Sequence, residues 1–348
     1  MPHLPLRSLA FGAALLAASA GPSPARSELS GAGSSPQTLL VVNQREHSLS
    51  KIDLGDQRVL GTASLGVNGH EIVVSPDERF AFVPIYGNSG LNRPGSDGST
   101  IDVVDIRTMQ RVATIDLGQA VRPHSIHFGP DGLLWVTAEL ANAVLVVDPR
   151  TRRVVGRVPT GHPQSHMLAF SPDGGRAYTA NFGTGTLSVI DTRKRRLVGT
   201  IAVAKRLQRV TVAPDGTVFT HDVDNPRIAI IDPEKKLVSG WIQLPGKSYA
   251  SAVTPDGRYL VAASPEGDES IKGRGALYVV DLKSKRVVHE LDVMGAPSGV
   301  TLSKEGSKAF VPCPSAGKIV VLNLRSMALE RDVVLGPGVD GLAPLRSN

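Results

Sequence analysis

Short runs of aliphatic and β-branched residues recur along the chain from Thr38 onward, each bounded by turn-forming residues. Leu39-Leu40-Val41-Val42 is the first of them, and no long stretch carries the 3.6-residue period of an amphipathic helix. A turn tetrad punctuates the runs. It reads Ser75-Pro76-Asp77-Glu78, Gly129-Pro130-Asp131-Gly132, Ser171-Pro172-Asp173-Gly174, Ala213-Pro214-Asp215-Gly216 and Thr254-Pro255-Asp256-Gly257, with Ser303-Lys304-Glu305-Gly306 as a degenerate copy. Proline presets φ near −65°, aspartate caps the turn and glycine accepts a positive φ, so each tetrad predicts a tight hairpin. The second positions of the tetrads step by 54, 42, 42, 41 and 49 residues.

A second series of turns lies between the first. Asp53, Asp105, Asp148, Asp191, Asp232, Asp281 and Asn323 each follow apolar residues and precede another apolar strand, as in Arg153-Val154-Val155-Gly156 and Arg196-Leu197-Val198-Gly199. One unit is therefore strand, hairpin, strand, connector, strand, Asx turn, strand. Four antiparallel strands in about 42 residues make one blade of a β-propeller. Six complete units start near His70, Pro123, His166, Leu207, Tyr249 and Pro297. The first repeat, from Thr38, lacks its opening strand, and Val339 to Pro344 has the look of the missing piece. The pattern predicts an all-β, seven-bladed propeller over residues 38–346, its ring closed by a blade shared between the two termini.

Tyr178-Thr179-Ala180-Asn181, between Ser171-Pro172-Asp173-Gly174 and Leu187-Ser188-Val189-Ile190-Asp191, resembles the YVTN repeat of exported bacterial and archaeal propellers. Related seven-bladed rings include lactonase-like proteins and the propeller of nitrous oxide reductase. Other repeats depart from the motif, among them Phe219-Thr220-His221-Asp222 and Phe310-Val311-Pro312-Cys313. The segment Gly129 to Trp135 also resembles repeats of propeller lyases that act on cyclic lactone antibiotics, in one blade only. The resemblance implies the fold, and it transfers no catalytic residue, because propellers host many unrelated activities.

Residues 1–20 read as a signal peptide: Leu9 to Ala18 is apolar and Ala18-Ser19-Ala20 is an A-x-A cleavage site. Residues 21–37, rich in Ser, Gly and Pro, read as a flexible leader. The expectation is an exported, periplasmic or extracellular protein without a transmembrane segment once mature. Removing residues through Ala20 takes away Arg7 and lowers the formal charge from +6 to +5, a mild attraction for anionic partners. Cys313 is the only cysteine, so a disulfide within the chain, a cysteine zinc site and a C-x-x-C-H haem attachment are excluded. From this we expect no haem.

The connections from second to third strand and from one blade to the next share one face of a propeller. Two such connectors are enlarged, Tyr86 to Thr100 and Pro265 to Gly275. On the same face, the residues that open the innermost strands are His70, His124, His166, Gln208, Tyr249, Ser298 and Asp340, with His162 in the loop before His166. Neutral imidazoles from three consecutive blades are a ligand set for zinc or copper, so His70, His124 and His166 are the metal candidates. Arg122, Arg206, Gln208, Lys247, Tyr249 and Asp340 are the candidate ligand-binding residues around the channel mouth, and Lys205, Arg93, Lys272 and Arg274 add to the basic field. A carboxylate, phosphate or sugar acid suits such a rim.

Aromatic residues make up 4% of the chain, and Trp135, Phe219 and Phe310 fall on apolar second strands, which argues against a stacking surface for nucleic acid. No G-x-S-x-G elbow, H-E-x-x-H helix or phosphate-binding Gly-rich loop is present. The sequence favours a binding or scaffolding module for a protein, glycan or small anionic ligand. A metal-assisted lactonase or lyase is the alternative, and no catalytic residue is assigned.

Overall fold

In a computed structural model, described for residues 38–90, 93–265 and 273–346, the chain is a ring of seven antiparallel sheets. The predicted signal peptide, leader and Lys272 lie outside these residues. Blades two to seven follow the predicted order; the third, for example, comprises Pro123–Phe128, Leu134–Ala138, Ala143–Asp148 and Arg153–Pro159 from the channel outward. The first blade takes Thr38–Asn43, Ser48–Asp53 and Arg58–Ser64 from one end of the propeller and its innermost strand, Val339–Pro344, from the other. That closing strand pairs Leu39 with Pro344, Leu40 with Ala343 and Val41 with Leu342.

Both predicted turns recur as hydrogen-bonded structures. In the second blade Ser75 Oγ donates to Asp77 Oδ1 at 2.6 Å and accepts the Phe80 amide at 3.0 Å. Glycine takes the left-handed position in the later tetrads, whereas Glu78 takes it in the first, at φ 55°. Glu78 is a latch as well as a turn residue. Its carboxylate accepts the Arg346 amide at 3.0 Å and Lys304 Nζ, tying the closing segment to the second and seventh blades.

The recurrent Val-Val-Gly of the outer strands also has a cause. In the first, third, fourth and fifth blades the outer pairing shifts register beside that glycine, as between Val146 and Val147 opposite Gly156 and between Val189 and Ile190 opposite Gly199. A bulge there increases the twist that neighbouring blades need to pack. The core is divided into seven apolar clusters, one between each pair of adjacent blades. Trp135, Phe219 and Phe310 are buried in them, and Trp135 Nε1 donates to Asp131 of its own turn at 3.2 Å. Cys313 is buried on a second strand, and its thiol is pushed up to about 12 by burial. No helix among the described residues is long and apolar enough to cross a membrane.

His221, on the second strand of the fifth blade, is buried between Ser248 Oγ at 2.7 Å from Nδ1 and Ser251 Oγ at 2.9 Å from Nε2. Burial, with the nearby Arg209 charge, pushes its imidazole down to about 3. The unfolded chain takes up that proton near pH 6.5, so the contribution is complete above pH 6.5 and is lost as pH falls towards 3. His124 and His127 are lowered too, both chiefly by burial, and act in the same direction. Urea unfolding should therefore weaken between pH 6.5 and 4.5, by at most about 1.4 kcal/mol per pH unit for each such histidine. His221→Gln should make the dependence shallower; an unchanged slope would remove His221 as a source.

Candidate functional site

The seven residues that open the innermost strands converge. His70, His124, His166, Gln208, Tyr249, Ser298 and Asp340 all line one cavity of about 1030 Å³ at the channel mouth. Ring closure sets this spacing closely. A Cβ on Gly341 would lie 2.2 Å from the His70 carbonyl oxygen, so the closing strand needs glycine there to reach the second blade. Asn88, Ser89, Gly90 and Arg93 of the enlarged second-blade connector, and Pro265 of the sixth-blade one, form part of the wall.

On one side of the mouth a hydrogen-bonded cluster centres on Glu139. This residue lies in the 3₁₀ turn Glu139–Ala141, the second-to-third connector of the third blade, and is 1% exposed. Its Oε2 accepts from Tyr86 Oη at 2.9 Å and stands 3.6 Å from Arg122 Nη1, while its Oε1 faces His166 Nδ1 at 2.6 Å. A carboxylate at Nδ1 holds the ring proton there and leaves Nε2 as the lone-pair donor. Burial, then Glu139, pushes the Tyr86 phenol far up, so Tyr86 is a standing hydrogen-bond donor. His124 sits beside both rings, its centroid 4.1 Å from that of His166 and 5.2 Å from that of Tyr86. Burial and the neighbouring His166, His70 and Arg209 keep the His124 imidazole neutral.

The other side is built from the first, second and seventh blades. Gln44 Nε2 donates to Asp340 Oδ2 at 2.6 Å and lies 2.8 Å from His70 Nδ1. Asp340 Oδ2 is 3.1 Å from the same ring nitrogen, and Ser298 Oγ donates to Asp340 Oδ1 at 3.3 Å. His70 Nδ1 thus faces both a carboxylate oxygen and an amide nitrogen, and the ring tautomer sets which of the two it bonds. His70 reaches His124 with ring centroids 4.9 Å apart, so His124 links the two sides.

Three metal candidates thus come together, although the tightest group of ligating atoms is His124, His166 and Glu139, within 4.8 Å of one another. The basic rim is more tied up than its sequence suggests. Arg122 is 7% exposed and held by Asp97 Oδ1 at 3.0 Å, with φ 52°, so it braces the enlarged connector against Glu139. Arg206 pairs with Asp224 and lies over the Phe182 ring, outside the cavity lining, as does exposed Lys247. His162 turns to Thr200 Oγ1 at 3.2 Å and is also absent from the lining. Sequence reasoning missed Glu139, Gln44 and Arg209; the one signal was an arginine next to Gln208 on an innermost strand.

Fold and mouth define the protein as a seven-bladed β-propeller with a polar, imidazole-rich cavity at one end of its channel. No family model matches the chain. It is 25% identical over 258 residues to the seven-bladed beta-propeller protein Rv1057 of Mycobacterium tuberculosis, covering 65% of this chain and 65% of that protein. It is 22% identical over 269 residues to antigen Lp49 of Leptospira interrogans, 70% of this chain and 59% of that one. To dihydro-heme d1 dehydrogenase of Pseudomonas aeruginosa it is 28% identical over 237 residues, 61% of this chain and 44% of that one. The chain thus spans less than two thirds of the length of each. Among solved structures, hydrazine synthase of Kuenenia stuttgartiensis matches with a TM-score of 0.63 at 19% identity, covering 80% of this chain and 95% of that one. Dihydro-heme d1 dehydrogenase NirN in complex with DHE matches with a TM-score of 0.63 at 14% identity, covering 88% and 74%. These two show the fold alone.

The comparisons correct the expectation of no haem. A propeller related in sequence is a dihydro-haem d1 dehydrogenase, and a NirN structure of this fold carries DHE. The physical reason is simple. The missing C-x-x-C-H motif removes covalent attachment only, whereas imidazole ligation and carboxylate contacts need no cysteine.

Proposed function

We propose that this is an exported YVTN-type propeller that binds a haem-related tetrapyrrole, without covalent attachment, at the loop-bearing mouth of its channel. The observation that carries the proposal is the cavity of about 1030 Å³ lined by His70, His124, His166 and Tyr86, with the buried Glu139 carboxylate behind Tyr86 and His166. That volume is at the upper end of small-molecule sites, roughly 300–1,000 Å³, and suits a ligand the size of a tetrapyrrole. The donor set fits as well: Glu139 at His166 Nδ1 leaves Nε2 of that ring for ligation. The relationship to dihydro-heme d1 dehydrogenase supports the ligand class, and Ala18-Ser19-Ala20 supports export.

A bound tetrapyrrole would supply a redox-active macrocycle with a central metal. His166, oriented by Glu139, would hold that metal. Tyr86 and Glu139 would keep water and stray protons away from His166. Arg45 and Arg93 in the cavity wall would face its acidic side chains.

The test is a titration of the purified protein with haemin, followed by the Soret band. One equivalent should bind with micromolar or tighter affinity and a shifted band, and His166→Ala should move the band and weaken binding about tenfold. Absence of saturable binding by both haemin and metal-free porphyrin would overturn the reading.

A further inference from the structure

Two buried side-chain atoms among the described residues have no hydrogen-bond partner, His124 Nδ1 and Arg209 Nε, and both residues line the mouth cavity. Buried polar groups are nearly always satisfied, so two orphans in one cavity point to a missing acceptor. His124 is 3% exposed, and it shares the wall of the mouth cavity with Arg209. A neutral imidazole can carry its proton on Nδ1, which makes both orphans donors.

Their place in the channel narrows the acceptor further. A second cavity of about 400 Å³ lies along the channel, and Arg209 and Asp340 are the two residues that line both. They mark the throat. Asp340 is already engaged with Gln44 and Ser298 on the side of the seventh and first blades. Arg209 uses Nη2 on Glu71, at 2.9 Å across the channel, and leaves its Nε edge unbonded. The free donors therefore lie on the third- and fifth-blade side, on either side of His166.

We infer that the throat is a carboxylate subsite, in which Arg209 Nε and His124 Nδ1 donate to one acid group of the ligand bound at the mouth. The inference rests on the tetrapyrrole reading only for the identity of the larger ligand; the two orphaned donors argue for the acid group by themselves. The selected substrate class is a macrocycle with a free carboxylate side chain long enough to reach below the imidazoles, and not its ester or amide. Glu139 and Arg122 do not take part, because each is satisfied by protein groups.

Metal-free mesoporphyrin and its neutral diamide, titrated by fluorescence into wild type, Arg209→Gln and Arg209→Lys, test this directly. Wild type should prefer the diacid by about tenfold or more, the scale of one charge-assisted hydrogen bond. Both variants should lose most of that preference while binding the diamide within about twofold of wild type, the lysine because it keeps the charge without an Nε–H. A preference retained in both variants would overturn the subsite. If neither porphyrin binds wild type, the tetrapyrrole reading fails and acetate decides the inference alone. Saturable acetate-induced ¹⁵N shifts of His124 that vanish in Arg209→Gln would uphold the subsite, and no shift in wild type would assign the orphaned donors to water.

Discussion

Ending the chain after Pro337 is expected to abolish the cooperative unfolding transition. The cut removes Val339–Pro344, the strand that completes the first blade, and exposes the Leu39–Val41 edge it pairs with. Val339 and Leu342 leave the cluster between the seventh and first blades, and Leu345 leaves the one between the first and second. Burying three such side chains contributes about 5–9 kcal/mol, comparable with the whole stability of a typical domain. The Glu78 latch on the Arg346 amide goes with them. Far-ultraviolet circular dichroism on heating would show it, and a synthetic peptide of residues 338–346 added in trans should restore a transition. A truncated chain melting within a few degrees of wild type would mean that the shared blade does not hold the ring.

Glu139→Ala should produce the largest effect of any single substitution at the mouth, a loss of about 3–5 kcal/mol in urea unfolding. Removing this carboxylate leaves Tyr86 Oη and His166 Nδ1 without their acceptor, and deprives the buried Arg122 of one of two anionic neighbours. Glu139→Gln keeps the volume and one acceptor oxygen, so it should lose about 1–3 kcal/mol, the range for one unsatisfied buried group. The two variants together separate charge from packing. Should Glu139→Ala unfold within 1 kcal/mol of wild type, water must fill the vacated space, and the carboxylate would no longer be what aligns His166.

The mouth was only half legible before folding, and the division follows the physics of repetition. A repeat places equivalent residues at equivalent points of every blade, so counting back from each turn tetrad found His70, His124, His166, Gln208, Tyr249, Ser298 and Asp340 without coordinates. Residues that break the repeat were invisible to that count. Glu139 sits in a 3₁₀ turn of a connector and meets Tyr86 from a position 53 residues away, and Gln44 meets Asp340 across 296 residues. Arg122 looked like a solvated rim charge because its two acidic partners come from different blades. The expectation on haem failed for a related reason: a cysteine motif reports a covalent bond, whereas a non-covalent pocket is written in contacts between blades.

The sequence by itself determined the number of blades, the shared closing blade, the face that bears the large loops and the seven residues at the mouth. These depend on local turn chemistry and on periods of two and about 42 residues, both of which are carried by neighbouring positions. Only the tertiary structure decided which of those residues act together, which imidazole keeps a lone pair and where two donors stand without acceptors. Such properties arise from contacts between side chains far apart in the chain, and closing the ring is what brings them within hydrogen-bonding distance.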